Sequence, residues 1–154
     1  MTKASSSKQL NVEVNIRQMS MEDVEDILSI EKKIAGKDRA LTYAPVPDSC
    51  IGGEIDSSFV AEVDGRVAGF VLGRIARSPT TLLDIAWIEL IGVLPEYNRQ
   101  GVGKMLVESW RERCRQRGIK KVHVMVNWRD WLMLSFFESL GFTRGELTNL
   151  VYEL

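Results

Sequence analysis

Apolar and polar positions alternate in blocks along this chain, and the blocks define its elements. Val12, Val14 and Ile16 alternate with polar neighbours, the period of two that predicts a strand. Val24, Ile27, Leu28 and Ile34 then recur at helical spacing. Ser20 and Asp23 make an imperfect capping box before them, so a first helix is expected to end near Gly36. Residues 58–63 and 67–75 read as two strands joined by Asp64-Gly65, a hairpin signal. Residues 82–93 form a fourth strand, apolar except at Asp84, Glu89 and Gly92, and Pro95 ends it because proline cannot donate to a ladder. After a glycine-bearing turn over residues 98–103, the apolar positions Leu106, Val107, Trp110 and Cys114 predict a helix that stops at Gly118. Val122, Val124 and Val126 alternate with His123, Met125 and Asn127 as a fifth strand. A helix links it to the fourth, so the two are expected to run parallel through a right-handed crossover. Residues 132–140 form a short helix closed by Gly141, and Leu147, Leu150, Val151, Tyr152 and Leu154 suggest a final strand. The order predicts an α/β (α+β mixed) fold, a mixed sheet with helices on both faces.

The turn between the fourth strand and its helix carries the first chemical signal. A helix opening on such a turn presents unpaired backbone N–H groups at its positive end, and glycine lets an anion approach them closely. Arg99 and Lys104 add charge there. Two phosphate motifs fail: a Walker A loop would need glycine where Asn98 stands and Ser or Thr at Met105, and a GxGxxG loop would need glycine at Leu106.

What the segment VLPEYNRQGVGKML resembles is the acetyl-CoA loop of the GNAT N-acetyltransferase superfamily, Arg/Gln-x-x-Gly-x-Gly/Ala after a hydrophobic strand ending V-x-P-E-Y. Asn98 departs from the usual Arg or Gln, a minor change for a loop that works through backbone amides. FFESLGF, residues 136–142, resembles the second signature, Y-x-x-x-G-F. The resemblance covers residues from about Val12 onward. It implies a GNAT fold with a six- to seven-stranded sheet whose fourth and fifth strands splay apart around acetyl-CoA. By position, backbone groups of Ile91, Gly92 and Val93 would meet the pantetheine arm. Residues Asn98, Arg99, Gln100, Gly101, Val102, Gly103 and Lys104 would hold the pyrophosphate. The implied reaction is direct attack of a primary amine (small molecule, lysine side chain or protein N-terminus) on the thioester. A homodimer is a common arrangement in that family.

Such chemistry needs a proton acceptor and an acid. Glu89 is the candidate base: it is the only charge between Ile85 and Val93 and, by alternation, shares a face with Trp87, Ile91 and Val93. Desolvation there is expected to raise its pKa. It matches a strand glutamate implicated as base in some GNAT enzymes; the competing reading is a structural carboxylate. The acid position of the second signature holds Phe137, which cannot donate a proton but can pack against the cofactor. Tyr43 and Ser135 are the substitutes, a water is another, and unassisted thiolate departure is the remaining route. Asp130 stands where an asparagine is usual. His123 is the lone histidine, and on a strand it more often fills space than acts as a base. Trp128, Trp131, Phe136 and Phe137 read first as core aromatics, with one tryptophan a candidate for a dimer surface.

Composition narrows the classes. The 154 residues suit one domain, expected over residues 11–154 behind a polar, disordered stretch of residues 1–10. A net charge of −1 argues against a nucleic-acid binder, and no apolar run reaches the length of a membrane span. Two cysteines, Cys50 and Cys114, make no disulfide framework, and one histidine makes no zinc site. The expectation is a cytoplasmic enzyme using acetyl-CoA and no metal, with a small-molecule or peptide amine as acceptor. A non-catalytic acyl-CoA-binding module is the alternative, and a nucleotide switch the third reading.

Overall fold

The computed structural model describes residues 12–34, 57–77, 84–146, 148 and 150–154. Tyr43, Cys50, Leu147 and the expectations for residues 1–10 lie outside them.

Strands β1 (Val14–Gln18), β2 (Phe59–Val63), β3 (Arg66–Arg77), β4 (Asp84–Val93) and β5 (Val122–Val124) form one sheet in chain order. The first four pair antiparallel, and β4 and β5 pair parallel, as the crossover helix requires. Asp64 and Gly65 turn with φ of 50° and 73°, both left-handed, the geometry a two-residue hairpin with right-twisted strands demands.

Helix α1 (Val24–Ile34) covers one side of the sheet, where Ile27 and Ile30 pack with Val60, Phe70, Leu72 and Leu90. Helix α2 (Val102–Gln116) covers the other, where Leu106, Val107, Trp110 and Cys114 meet Val71, Ile75, Ala86, Ile88 and Ile91. Helix α3 (Trp131–Ser139) adds Phe137 to that second layer. Burying side chains such as Leu106 and Val107 stabilises the fold by about 2 kcal/mol each. Cys114 belongs to this core, and burial pushes its thiol up to about 11, so it stays protonated and inert.

The β1–α1 corner is tied by charge. The buried Asp23 carboxylate accepts two bonds from the Arg17 guanidinium, at 2.8 and 2.7 Å, and one from the Ser20 backbone N–H at 2.7 Å. Arg17 also donates to Glu62 at 2.7 Å. The Arg17 hydrogen bonds hold the Asp23 carboxyl below the usual carboxylate range. The expected capping box is therefore present, with its acid shared by a neighbouring strand.

Three expectations are corrected. The fifth strand stops at Val124 and does not reach Val126, because Asn127 starts a turn: its side chain accepts from the Arg129 N–H at 2.9 Å and its carbonyl from the Asp130 N–H at 2.8 Å. The final strand is missing among the described residues: Leu150, Val151, Tyr152 and Leu154 are exposed and outside any ladder. A three-residue β5 offers little edge for it to pair with. The described sheet thus has five strands where six to seven were expected. Trp128 and Trp131 are not core: they are 72% and 71% exposed, with the Arg129 guanidinium 4.9 Å from the Trp128 ring centroid.

Candidate active site

The loop before α2 is shaped by backbone hand. Asn98 is extended, with φ −64° and ψ 147°, whereas Arg99 (φ 59°) and Gly101 (φ 84°) are left-handed. Left-handed residues in a turn let neighbouring amides face a common side, as in anion-binding loops. Arg99 adopts this conformation without glycine's freedom, a strain of about 1 kcal/mol. Met105 makes the first i−4 bond of the helix, to the Gly101 carbonyl at 3.0 Å, so the amides of Val102, Gly103 and Lys104 precede the ladder. Asn98, Arg99 and Lys104 are exposed around them. The Gln100 side chain donates to the Glu96 carbonyl at 2.8 Å and pins the loop to the preceding turn. Gly103 has a packing reason as well: a Cβ there would lie 3.2 Å from the Phe136 ring. These unpaired amides, with two cations beside them, fit a pyrophosphate.

The adjoining wedge also fits. β5 pairs with β4 only through Ala86, Trp87 and Ile88, so residues 89–93 of β4 have no β5 partner among the described residues. Ile91 and Gly92 are buried and Val93 is half-buried along this edge, and their β5-side backbone groups are placed for an extended ligand arm.

A β-bulge reorders the residues on β4. Leu72 pairs with Leu90 and Gly73 with Ile88, leaving Glu89 as the extra residue. Simple alternation, which put Glu89 on one face with Trp87, Ile91 and Val93, fails here. Ala86, Ile88 and Ile91 all pack under α2, with Val93 against the same cluster, whereas Leu90 belongs to the α1 layer. Trp87, next to Ala86 and Ile88, points to the α1 side. Opposite the bulge, Gly73 sits against Trp110, and its N–H donates to the buried Ser58 hydroxyl at 3.2 Å.

Glu89 is not the isolated charge expected of it. Arg74 of β3 donates to Glu89 Oε1 from Nε at 2.6 Å and also from Nη2. The carboxylate side chain is 23% exposed and the guanidinium side chain 61%. Arg74, Trp87 and His123 are paired across three strands and so share the α1 side of the sheet. The His123 ring lies 4.8 Å from the Trp87 ring, centroid to centroid. Sequence reasoning missed Arg74, because only the bulge brings it into register with Glu89.

Phe137 is 3% exposed, edge-on to Phe136 and Phe142 with 5.1 Å between centroids in each pair. It is first a core ring. Ser135 is exposed on α3. Asp130, where asparagine was usual, caps α3 by accepting from the Met133 N–H at 3.0 Å. Among the described residues no group of three or more His, Cys, Asp or Glu could hold a metal, and no helix is long and apolar enough to cross a membrane.

Comparison with known proteins bears on the family and the fold. The family model described as "Acetyltransferase (GNAT) domain" matches residues 54–144, well over half the chain. The [ribosomal protein bS18]-alanine N-acetyltransferase of Escherichia coli K12 is 28% identical over 100 residues, spanning 65% of this chain and 64% of the relative, just under two thirds of its length. An aminoglycoside acetyltransferase from an uncultured soil metagenomic sample superposes with a TM-score of 0.72 at 16% identity, covering 92% of this chain and 96% of the other. The aminoglycoside N-acetyltransferase AAC(6')-Iy, solved with CoA, gives 0.71 at 19% identity over 93% and 96%. At such identities the structural matches establish fold alone. With the family model spanning both β4 and the α2 loop, the chain belongs to the acetyltransferase (GNAT) domain family.

Proposed function

We propose that this protein transfers acetyl from acetyl-CoA to a primary amine within a ternary complex, with Glu89 as proton acceptor. The observation that carries this reading is the placement of an anion-fitting loop and an open β4 edge beside one carboxylate. Acetyl-CoA supplies the thioester carbonyl. The amine nitrogen attacks it, a C–N bond forms, the C–S bond breaks, and CoA leaves as thiolate. Glu89 takes the proton the nitrogen sheds, directly or through a water. The amides of residues 99–104 bind the pyrophosphate, Arg99 and Lys104 neutralise it, and β4 backbone groups orient the arm. Tyr43 and Ser135 are the hydroxyls available to return a proton to the thiolate. An unperturbed thiol has a pKa of about 8.5, so departure needs little help. The Phe137 ring packs behind the reacting end.

The acceptor arrives on the α1 side of the sheet, where Trp87 and His123 stack. The sequence relative acts, by its name, on an alanine of a ribosomal protein, which puts a peptide α-amine first among acceptors. The test is CoA release from acetyl-CoA with alanine-initial peptides, lysine peptides, polyamines and aminoglycosides. Turnover with one of these classes is the expected result. Tight acetyl-CoA binding with no turnover across the panel would favour a non-catalytic acyl-CoA-binding module, the reading that Phe137 at the acid position motivates.

A further inference from the structure

We infer that Arg74 is a positioning residue for the reaction: it grips one oxygen of Glu89 and leaves the other to receive the amine proton. This rests on Glu89 being the proton acceptor.

The bulge makes the grip possible. In a regular ladder continuing from Leu72–Leu90, Gly73 would oppose Glu89 and Arg74 would oppose Ile88. Opposed residues share a face and successive residues alternate, so Arg74 and Glu89 would then point through opposite sides of the sheet. The extra residue shifts Arg74 onto Trp87 and puts its guanidinium on the side that the Glu89 carboxylate reaches.

The grip is one-sided. Nε and Nη2 both close on Oε1, whereas Oε2 accepts nothing from the described residues. A carboxylate bound in the usual fork would engage both oxygens. Here one oxygen is an anchor and the other is left to take the amine proton. Orientation of this kind converts a mobile glutamate into a fixed proton acceptor, the entropy term that positioned groups supply to catalysis. A purely structural ion pair on a largely exposed arginine would contribute little to stability. The melting temperature of the Arg74 variant separates a loss of positioning from a loss of fold.

The test is a double-substitution cycle on CoA release, using the panel amine with the highest turnover. Glu89→Gln is expected to lower kcat about 100-fold. Arg74→Gln is expected to lower kcat about tenfold, with the KM for acetyl-CoA within about twofold and the melting temperature unchanged. Arg74→Lys, which keeps the charge and a donating nitrogen but not the two-nitrogen grip, recovers part of that loss. The double variant is expected to be no slower than Glu89→Gln alone, because Arg74 acts only through Glu89. Losses that multiply to about 1,000-fold would overturn the inference, as would full activity in Arg74→Gln while Glu89→Gln is impaired. Full activity in Glu89→Gln, or no turnover with any panel amine, would overturn the proposed function and this inference with it.

Discussion

At the start of α2 the groups proposed to bind are backbone amides of residues adjacent in the chain. On the α1 side of the sheet they are side chains from three strands, Arg74 of β3, Glu89 of β4 and His123 of β5. The first region survives a departure from its family's pattern, since Asn98 in place of Arg or Gln changes a side chain and leaves the amides where they are. The second depends on strand register, since one residue more or less in β4 separates Arg74 from Glu89. Backbone-built sites are robust to side-chain change, and side-chain-built sites are robust only while the ladder beneath them holds.

The register is most easily broken at Gly73. A Cβ there would lie 1.6 Å from Trp110 Nε1, and Trp110 is fully buried. Gly73→Ala is expected to destabilise the protein by about 3 kcal/mol, read as a shift in the urea midpoint. Turnover should fall beyond the loss of folded protein, as the bulge repacks. A fall in stability with unchanged turnover per folded molecule would show that the side-chain row does not depend on the bulge. The opposite test sharpens the other half of the comparison. Asn98→Ala removes an exposed side chain from the loop and is expected to change acetyl-CoA affinity less than about threefold, under 0.7 kcal/mol by calorimetry. A tenfold loss would mean that the loop binds through that side chain.

The sequence made legible what depends on local chemistry. The Asp64-Gly65 hairpin, the stop at Pro95 and the glycine-bearing turn over residues 98–103 follow from residues within a few positions of one another, and the parallel crossover follows from the order of the elements. The bulge was not legible, because nothing in Trp87-Ile88-Glu89-Leu90 distinguishes a regular strand from one with an extra residue. The partner that forces the choice, Trp110 against Gly73, comes from another element. Missing the bulge grouped Glu89 with Ile91 and Val93, which pack on the α2 side, and hid Arg74. Asp130 was legible as a departure from a motif but not as a helix cap, since the first turn of α3 had been placed later. The tryptophans were misread for a related reason: Trp128 and Trp131 follow the turn at Asn127, which aims them away from the core their composition suggested.

In the proposed reaction acetyl-CoA sits on the backbone of the α2 loop. Calorimetric titration of acetyl-CoA into the wild-type protein and into Gly101→Val tests it most directly. The β-branched side chain cannot adopt φ 84° without strain and would tilt the amides away. One site per wild-type chain is expected, with binding at least about tenfold weaker, a loss of about 1.4 kcal/mol, in the variant. No heat from the wild-type protein, or equal affinity in both, would contradict it.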